Sequence, residues 1–186
     1  MTTTKRAAFF DRDGVIIKTN VINGKPYAIR NQDAFELMPG ALEVLTSFKE
    51  AGYMNIIVTN QPDVGNGIVE RAFVDEVNNL LRRLLPIHSI EVCYHKQTDG
   101  CDCRKPKIGM FRRAEKSFNL CLNQSIMVGD RPSDIVAGHR AGCFTMFIES
   151  GYNETLTIQP DIKVNELTQV KPELCHRQLG QQEGIL

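Results

Sequence analysis

A chain of 186 residues is long enough to bury one full core, and 42% hydrophobic with 24% charged residues is an ordinary globular composition. Lysine plus arginine and aspartate plus glutamate both number 22, so no overall field draws the protein to nucleic acid or to an anionic membrane. No segment is apolar for long enough to span a bilayer, and the run after Met1-Thr2-Thr3-Thr4-Lys5-Arg6 is too brief for a signal-peptide core, so a soluble cytoplasmic protein is expected.

Ala7 to Phe10 reads as the first strand, and Val15 to Ile29, with Asn23-Gly24 inside it, as an inserted loop or hairpin. Ala41 to Ala51 spaces Leu42, Leu45 and Phe48 at helical intervals, entered by Pro39-Gly40 and ended by Gly52. Asn55 to Val58 is the second strand, and Glu70 to Leu85, with Phe73, Val77, Leu80, Leu81 and Leu84, the second helix. Ser89 to Cys93, Ser125 to Val128 and Phe144 to Ile148 complete the strong strands, with helices at Pro106 to Phe118 and Pro132 to Ala141, the last stopped by Gly142. Ile162-Lys163-Val164 is a short edge strand. The tail from Lys171 to Leu186 is expected to be irregular or loosely docked, outside a single domain over residues 1–170.

Strands separated by helices predict an α/β fold with a central, mostly parallel sheet. Neither Asp13 to Thr59 nor Gln61 to Arg104 leaves room for a lid domain, so loops rather than a cap should choose the substrate.

Three of the strands end abruptly in polar residues, where open α/β sheets build their sites. Asp11-Arg12-Asp13-Gly14 follows the first, Thr59-Asn60-Gln61 the second and Gly129-Asp130-Arg131 the fourth, while Arg104-Lys105-Pro106-Lys107 is a basic loop. One carboxylate of Asp11 and Asp13 can attack phosphorus while the other handles a proton. Their mutual repulsion calls for a hard cation, and Mg²⁺ suits carboxylate and phosphate oxygens, with Asp130 completing the site. The Thr59 hydroxyl and nearby N–H groups suit phosphoryl oxygens, and Lys105 or Lys107 suits the charge that develops on transfer. Asp134, one helical turn after Asp130, reads either as orienting that site or as a helix N-terminal acid. Taken singly, each cluster is as well explained by a turn, a strand end or a solvated loop; their conjunction at successive strand ends is what points to phosphoryl chemistry.

Cys93, His95, Cys101 and Cys103 offer four ligands of the types that suit Zn²⁺, and a closed four-ligand site is structural rather than catalytic. It would pin the loop that delivers Arg104 and Lys105. Cys121, Cys143 and Cys175 read as packing residues. His88, His139 and His176 read as surface residues, and Gly65 and Gly67 as shaping a substrate loop.

Together, Asp11-Arg12-Asp13-Gly14-Val15, Thr59-Asn60-Gln61, Cys101-Asp102-Cys103-Arg104-Lys105-Pro106-Lys107 and Gly129-Asp130-Arg131 with Asp134 resemble the haloacid dehalogenase (HAD) superfamily of phosphohydrolases. The resemblance covers about Ala7 to Ile148. Within the superfamily it is similar to the capless group of histidinol-phosphate phosphatases and heptose 1,7-bisphosphate 7-phosphatases. It implies a three-layer α/β/α Rossmann-like fold and Mg²⁺-dependent hydrolysis of a phosphosugar by a monomer. By that resemblance Asp11 is the nucleophile that forms an aspartyl-phosphate, and Asp13 protonates the leaving oxygen and then activates water. The metal lies between the Asp11 carboxylate, the Asp13 backbone carbonyl and Asp130. Thr59, Asn60 and Lys105 bind the transferring group, and Gln61, Arg104 and Arg131 fall to the substrate. It also raises the zinc reading of the cysteine loop.

The Gly109-Met110 pair and the loop from Thr59 to Gly67 are closer to the heptose branch, whose product feeds surface-glycan synthesis, with histidinol phosphate as the alternative. Tyr94 and Ile108 stand where proline is usual, and Asn66 where arginine is frequent. Two further readings are a zinc-stabilised phosphosugar-binding protein without turnover, against which Asp11 and Asp13 speak, and a nucleic-acid end phosphatase, disfavoured by the neutral charge.

Overall fold

The computed structural model describes residues 4–175; His176 and the remainder of the tail lie outside the described residues. Arg6–Phe10 (β1) has Ala7, Ala8, Phe9 and Phe10 fully buried, which is the pattern of a central parallel strand covered on both faces. Tyr53–Asn60 (β4) and Ile126–Gly129 (β6) pair with it on either side. Ser89–Cys93 (β5), Phe144–Ile148 (β7) and Ile162–Val164 (β8) extend the sheet to the order β5-β4-β1-β6-β7-β8, every neighbouring pair parallel. The chain therefore winds outward from β1 to β5 and then returns to β6 on the other side, which puts the topological switch at β1.

Helices cover both faces. Ala41–Glu50 (α1) and Arg71–Leu84 (α3) pack on the side of Ala8, Phe10 and Ile57, while Gly109–Phe118 (α4) and Pro132–Ala141 (α5) pack on the side of Ala7, Phe9 and Ile56. Phe48 of α1 meets Phe10 edge-on at 5.5 Å between ring centroids, and Phe111 of α4 meets Phe9 at 4.7 Å on the opposite face. Such pairs add about 0.5–1.5 kcal/mol to the area that they bury. None of the helices among the described residues is long and apolar enough to cross a membrane.

The elements are those of the sequence reading with some adjustments, β4 among them running from Tyr53 to Asn60. Helix α4 begins at Gly109 rather than Pro106, because Lys107 N donates to Arg104 O at 2.8 Å and Gly109 N to Asp102 O at 3.0 Å, which folds residues 106–108 back onto the cysteine loop. Val15, Ile16 and Ile17 are fully buried; the exposed hairpin is confined to Asn20–Ile22 (β2) and Lys25–Tyr27 (β3), turning at Asn23-Gly24 with φ of 52° and 72°. The short helix Pro62–Gly65 (α2) follows β4. At the other end Cys175 is fully buried in the core, so the first residues after Lys171 dock firmly.

Candidate active site

The C-terminal ends of β1, β4 and β6 bring polar residues to one cavity of about 350 Å³, with Thr59 and Asp130 buried behind its walls. Its walls include Asp11, Asp13, Asn60, Gln61, Arg104, Lys105, Arg131 and Asp134. Lys25, Pro26 and Tyr27 of the hairpin form one side, and among the described residues no separate cap domain stands over it.

Asp11, Asp130 and Asp134 are buried, with carboxylate oxygens within 4.8 Å of one another. Close approach is built into two glycines. A Cβ on Gly129 would lie 2.2 Å from Asp134 Cβ, and one on Gly14, whose φ is +96°, only 2.0 Å from Asp130 Oδ2. The start of α5 fixes Asp134, whose Oδ2 accepts from Arg131 N at 3.0 Å in an N-terminal cap. The helix N-terminal reading of Asp134 is therefore seen directly, and its Oδ1 faces Lys105 Nζ at 2.7 Å.

Lys105 is the cation in contact with this cluster. Its ammonium donates to Asp11 Oδ1 at 2.8 Å and to Val58 O at 2.7 Å, and is ion-paired with Asp134. Its backbone is clamped by the Asn60 side chain, which accepts from Lys105 N at 3.0 Å and donates to Lys105 O at 3.1 Å.

Three buried carboxylates against one ammonium leave an excess of negative charge. Burial first, opposed by Lys105 and reinforced by Asp134 and Asp13, pushes Asp11 up to about 6. Burial, Asp11 and Asp134 push Asp130 well above the usual carboxylate range. Burial opposes the charge on Lys105, yet Asp11 and Asp134 outweigh it and raise its pKa. Both Asp130 oxygens are buried and find no hydrogen-bond partner among the described residues. Orphaned oxygens beside a carboxylate surplus are what a bound divalent cation corrects, so the donor set fits Mg²⁺.

Asp13 is held differently. The Arg12 guanidinium grips it with Nε to Oδ2 at 3.0 Å and Nη2 to Oδ1 at 3.1 Å. Gln61 Nε2 donates to Oδ2 at 2.6 Å and Thr59 Oγ1 at 3.3 Å. Thr59, expected to face the phosphoryl group, therefore turns its hydroxyl to Asp13 and Gln61 in this structure. Arg104 lines the cavity with a buried Nη1 that has no hydrogen-bond partner among the described residues, whereas Arg131 is paired with Glu154. Sequence reasoning left Arg12 and Tyr152 without roles. The hydroxyl of Tyr152, bonded to Thr19 at 3.2 Å, stands beside Asp130, and nothing in its sequence setting marks it. For Arg12 the signal was present, since α3 carries Asn78 on the same face as the buried Val74, Val77 and Leu81.

The cysteine loop forms a second cluster. Cys93 Sγ lies 3.7 Å from Cys101 Sγ and 3.6 Å from His95 Nδ1; Cys103 Sγ lies 3.6 Å from Cys101 Sγ and 3.2 Å from His95 Nδ1. A tetrahedron with Zn–S near 2.3 Å has S···S edges of ~3.8 Å, whereas a disulfide requires ~2.05 Å. The thiols are free, and the four atoms fit a structural zinc ion. Of the three histidines read as surface residues, His88 and His139 are exposed, although His88 Nδ1 accepts from Asn55 N at 3.1 Å.

Known proteins bear on this geometry. The HAD-hydrolase-like family model matches residues 102–170. The chain is 34% identical over 147 residues to the D-glycero-beta-D-manno-heptose-1,7-bisphosphate 7-phosphatase of Helicobacter pylori strain J99, covering 76% of this chain and 81% of that one. It is 30% identical over 183 residues to the enzyme of the same name from Haemophilus ducreyi, covering 90% and 97%. Its fold matches the crystal structure of D,D-heptose 1,7-bisphosphate phosphatase from B. bronchiseptica complexed with magnesium and phosphate, at a TM-score of 0.75 and 22% identity over 95% of this chain and 99% of that one. The chain belongs to the HAD-type phosphatases, a class of phosphoric monoester hydrolases, and within them to the family of the heptose-1,7-bisphosphate 7-phosphatases.

Proposed function

We propose that this protein is a Mg²⁺-dependent cytoplasmic phosphatase acting on a phosphosugar, removing the 7-phosphate of D-glycero-D-manno-heptose 1,7-bisphosphate. The observation that carries the reading is the meeting of Asp11, Asp130 and Lys105 at one sheet edge, with the Asp130 oxygens unpartnered. The names of the relatives support the substrate.

Lys105 and the Arg12 N–H engage Asp11 Oδ1, which leaves Oδ2 to attack phosphorus in line with the leaving oxygen. As the P–O bond to the sugar breaks, Asp13 gives its proton to the departing oxygen. It then takes a proton from the water that opens the aspartyl-phosphate, returning Asp11 and inorganic phosphate. Lys105 serves the transferring group's oxygens, Asn60 and Thr59 act beside it by holding the Lys105 backbone and the Asp13 carboxylate, and Gln61, Arg104 and Arg131 fall to the rest of the substrate. Mg²⁺ held by the Asp11 carboxylate, the Asp13 backbone carbonyl and Asp130 would supply positive charge to the phosphoryl oxygens. Zn²⁺ held by Cys93, His95, Cys101 and Cys103 would keep the loop before Lys105 in place.

The test is phosphate release with Mg²⁺ from the heptose bisphosphate and from histidinol phosphate. A tenfold preference in kcat/KM for histidinol phosphate, ~1.4 kcal/mol in transition-state binding, would overturn the substrate assignment.

A further inference from the structure

The mechanism needs the Asp13 carboxylate to stay in one place through two proton transfers, and the structure supplies an unusual brace for it. Arg12 is almost wholly buried, its side chain 1% exposed, while the Asp13 side chain keeps 12% and opens on the cavity. Desolvating a guanidinium costs several kcal/mol, and an apolar side chain would fill that volume at lower cost. Stability alone therefore gives no reason for an arginine here.

Its geometry does. The two parallel N–H···O bonds to Asp13 fix that carboxylate in the plane of the guanidinium, a constraint one point charge cannot impose. The remaining arm, Nη1, donates to Asn78 Oδ1 at 3.0 Å, 66 residues further on. Asn78 is buried in the apolar face of α3, so the guanidinium is anchored from behind by a helix of the outer layer. At its other end the Arg12 carbonyl accepts from Ile16 N at 2.9 Å and Ile17 N at 2.8 Å, which pins the turn. Lys105 is the residue paired with Asp11 and Asp134, and Arg12 pairs with Asp13.

We propose that Arg12, braced by Asn78, is a positioning residue that holds the Asp13 carboxylate where it serves the leaving group and then the attacking water. The proposal rests on the phosphatase reading and adds to it a role for two residues outside the reacting set.

The experiment compares kcat/KM, which reports the step up to phosphoryl transfer, for two esters with Mg²⁺. The heptose 1,7-bisphosphate expels a sugar alkoxide that needs a proton; p-nitrophenyl phosphate expels a phenolate that needs none. Arg12→Lys keeps the charge and loses the fork. It is expected to lose about 100-fold on the sugar ester and less than about threefold on the aryl ester, with KM little changed, the same pattern as Asp13→Asn. Asn78→Leu keeps the Arg12–Asp13 pair and removes its anchor, with a loss of about tenfold on the sugar ester and the same selectivity. Equal losses on both esters, or no loss, would overturn the positioning role. Should Arg12→Lys fail to fold, the selectivity of Asn78→Leu decides the question alone. A wild type that released phosphate from neither ester would sink the phosphatase reading and this role together.

Discussion

Lys105 Nζ donates to Asp11 Oδ1 at 2.8 Å across 94 residues of sequence, and that single contact joins the basic loop to the proposed nucleophile. It also lowers the pKa of Asp11 against the upward push of burial. Lys105→Met is expected to lower kcat about 10²–10³-fold, since it removes a preorganised charge from the transferring group. It also leaves Asp11, Asp130 and Asp134 without their cation, costing about 3–5 kcal/mol in metal-free protein. Phosphate release and thermal unfolding measure the two effects. Near-wild-type turnover would remove Lys105 from the chemistry.

How far the sequence leads is clear from these same residues. The alternation of apolar runs and amphipathic helices carries the sheet, because a strand buried on both faces has few other ways to read. Polar residues at the C-terminal ends of β1, β4 and β6 mark the site edge for the same reason. What does not show is how side chains divide their contacts. Asn60 spends its amide on the Lys105 backbone, and Thr59 its hydroxyl on Asp13 and Gln61, choices set by loops that approach only in three dimensions. Residues 106–108 look like a helix start by their proline, yet hydrogen bonds back to Asp102 and Arg104 hold them in a turn. Asn78 lies on the buried face of α3 and its partner Arg12 on another element, so periodicity within the helix does not show the pair.

Asp130→Asn isolates the metal site. Neutralising a buried carboxylate whose oxygens lack partners relieves repulsion with Asp11 and Asp134. The metal-free variant is expected to be more stable than wild type by about 1–3 kcal/mol, while losing activity and most of its stabilisation by Mg²⁺. Thermal unfolding with and without Mg²⁺ reads both. A variant stabilised by Mg²⁺ as strongly as wild type would exclude Asp130 as a ligand.

The pH dependence of metal-free stability follows from Asp11. Its folded-state pKa of about 6 lies above the ordinary 3.8, so between those values the folded state binds more protons than the unfolded state. Stability contributed by Asp11 is therefore present below about pH 4 and is lost as pH rises through about 6, by at most about 3 kcal/mol. Other carboxylates titrate in the same window, so the readout is the difference between wild type and Asp11→Asn by denaturant unfolding across this range. A difference that stayed flat with pH would contradict the assignment.

Zinc removal should loosen the loop that carries Arg104 and Lys105. Burial pushes the metal-free Cys93 thiol up to about 12, so binding displaces a tightly held proton and weakens as pH falls. Purified protein is expected to hold one zinc per chain, and Cys101→Ser to lower both zinc content and melting temperature. Activity should fall with them through the backbone of Lys105, which Asn60 secures from the other side. Metal analysis alongside phosphate release tests this, and full activity in zinc-free protein would show the loop to be self-supporting.

Gly14→Ala tests whether the turn after β1 and the end of β6 were shaped for each other. The residue sits at φ +96°, where a side chain is strained by roughly 1–2 kcal/mol before any contact is made. Its Cβ would then lie 2.0 Å from Asp130 Oδ2, 2.9 Å from Asp130 Cγ and 2.8 Å from the Tyr152 hydroxyl, so Asp130 has to leave its place. Activity should fall at least about 10²-fold, with a higher Mg²⁺ requirement as the more telling change. Serial Mg²⁺ titration of phosphate release gives both numbers. Unchanged Mg²⁺ dependence with reduced stability would mean that Gly14 serves only the turn, and that Asp130 does not hold the metal from the position seen here.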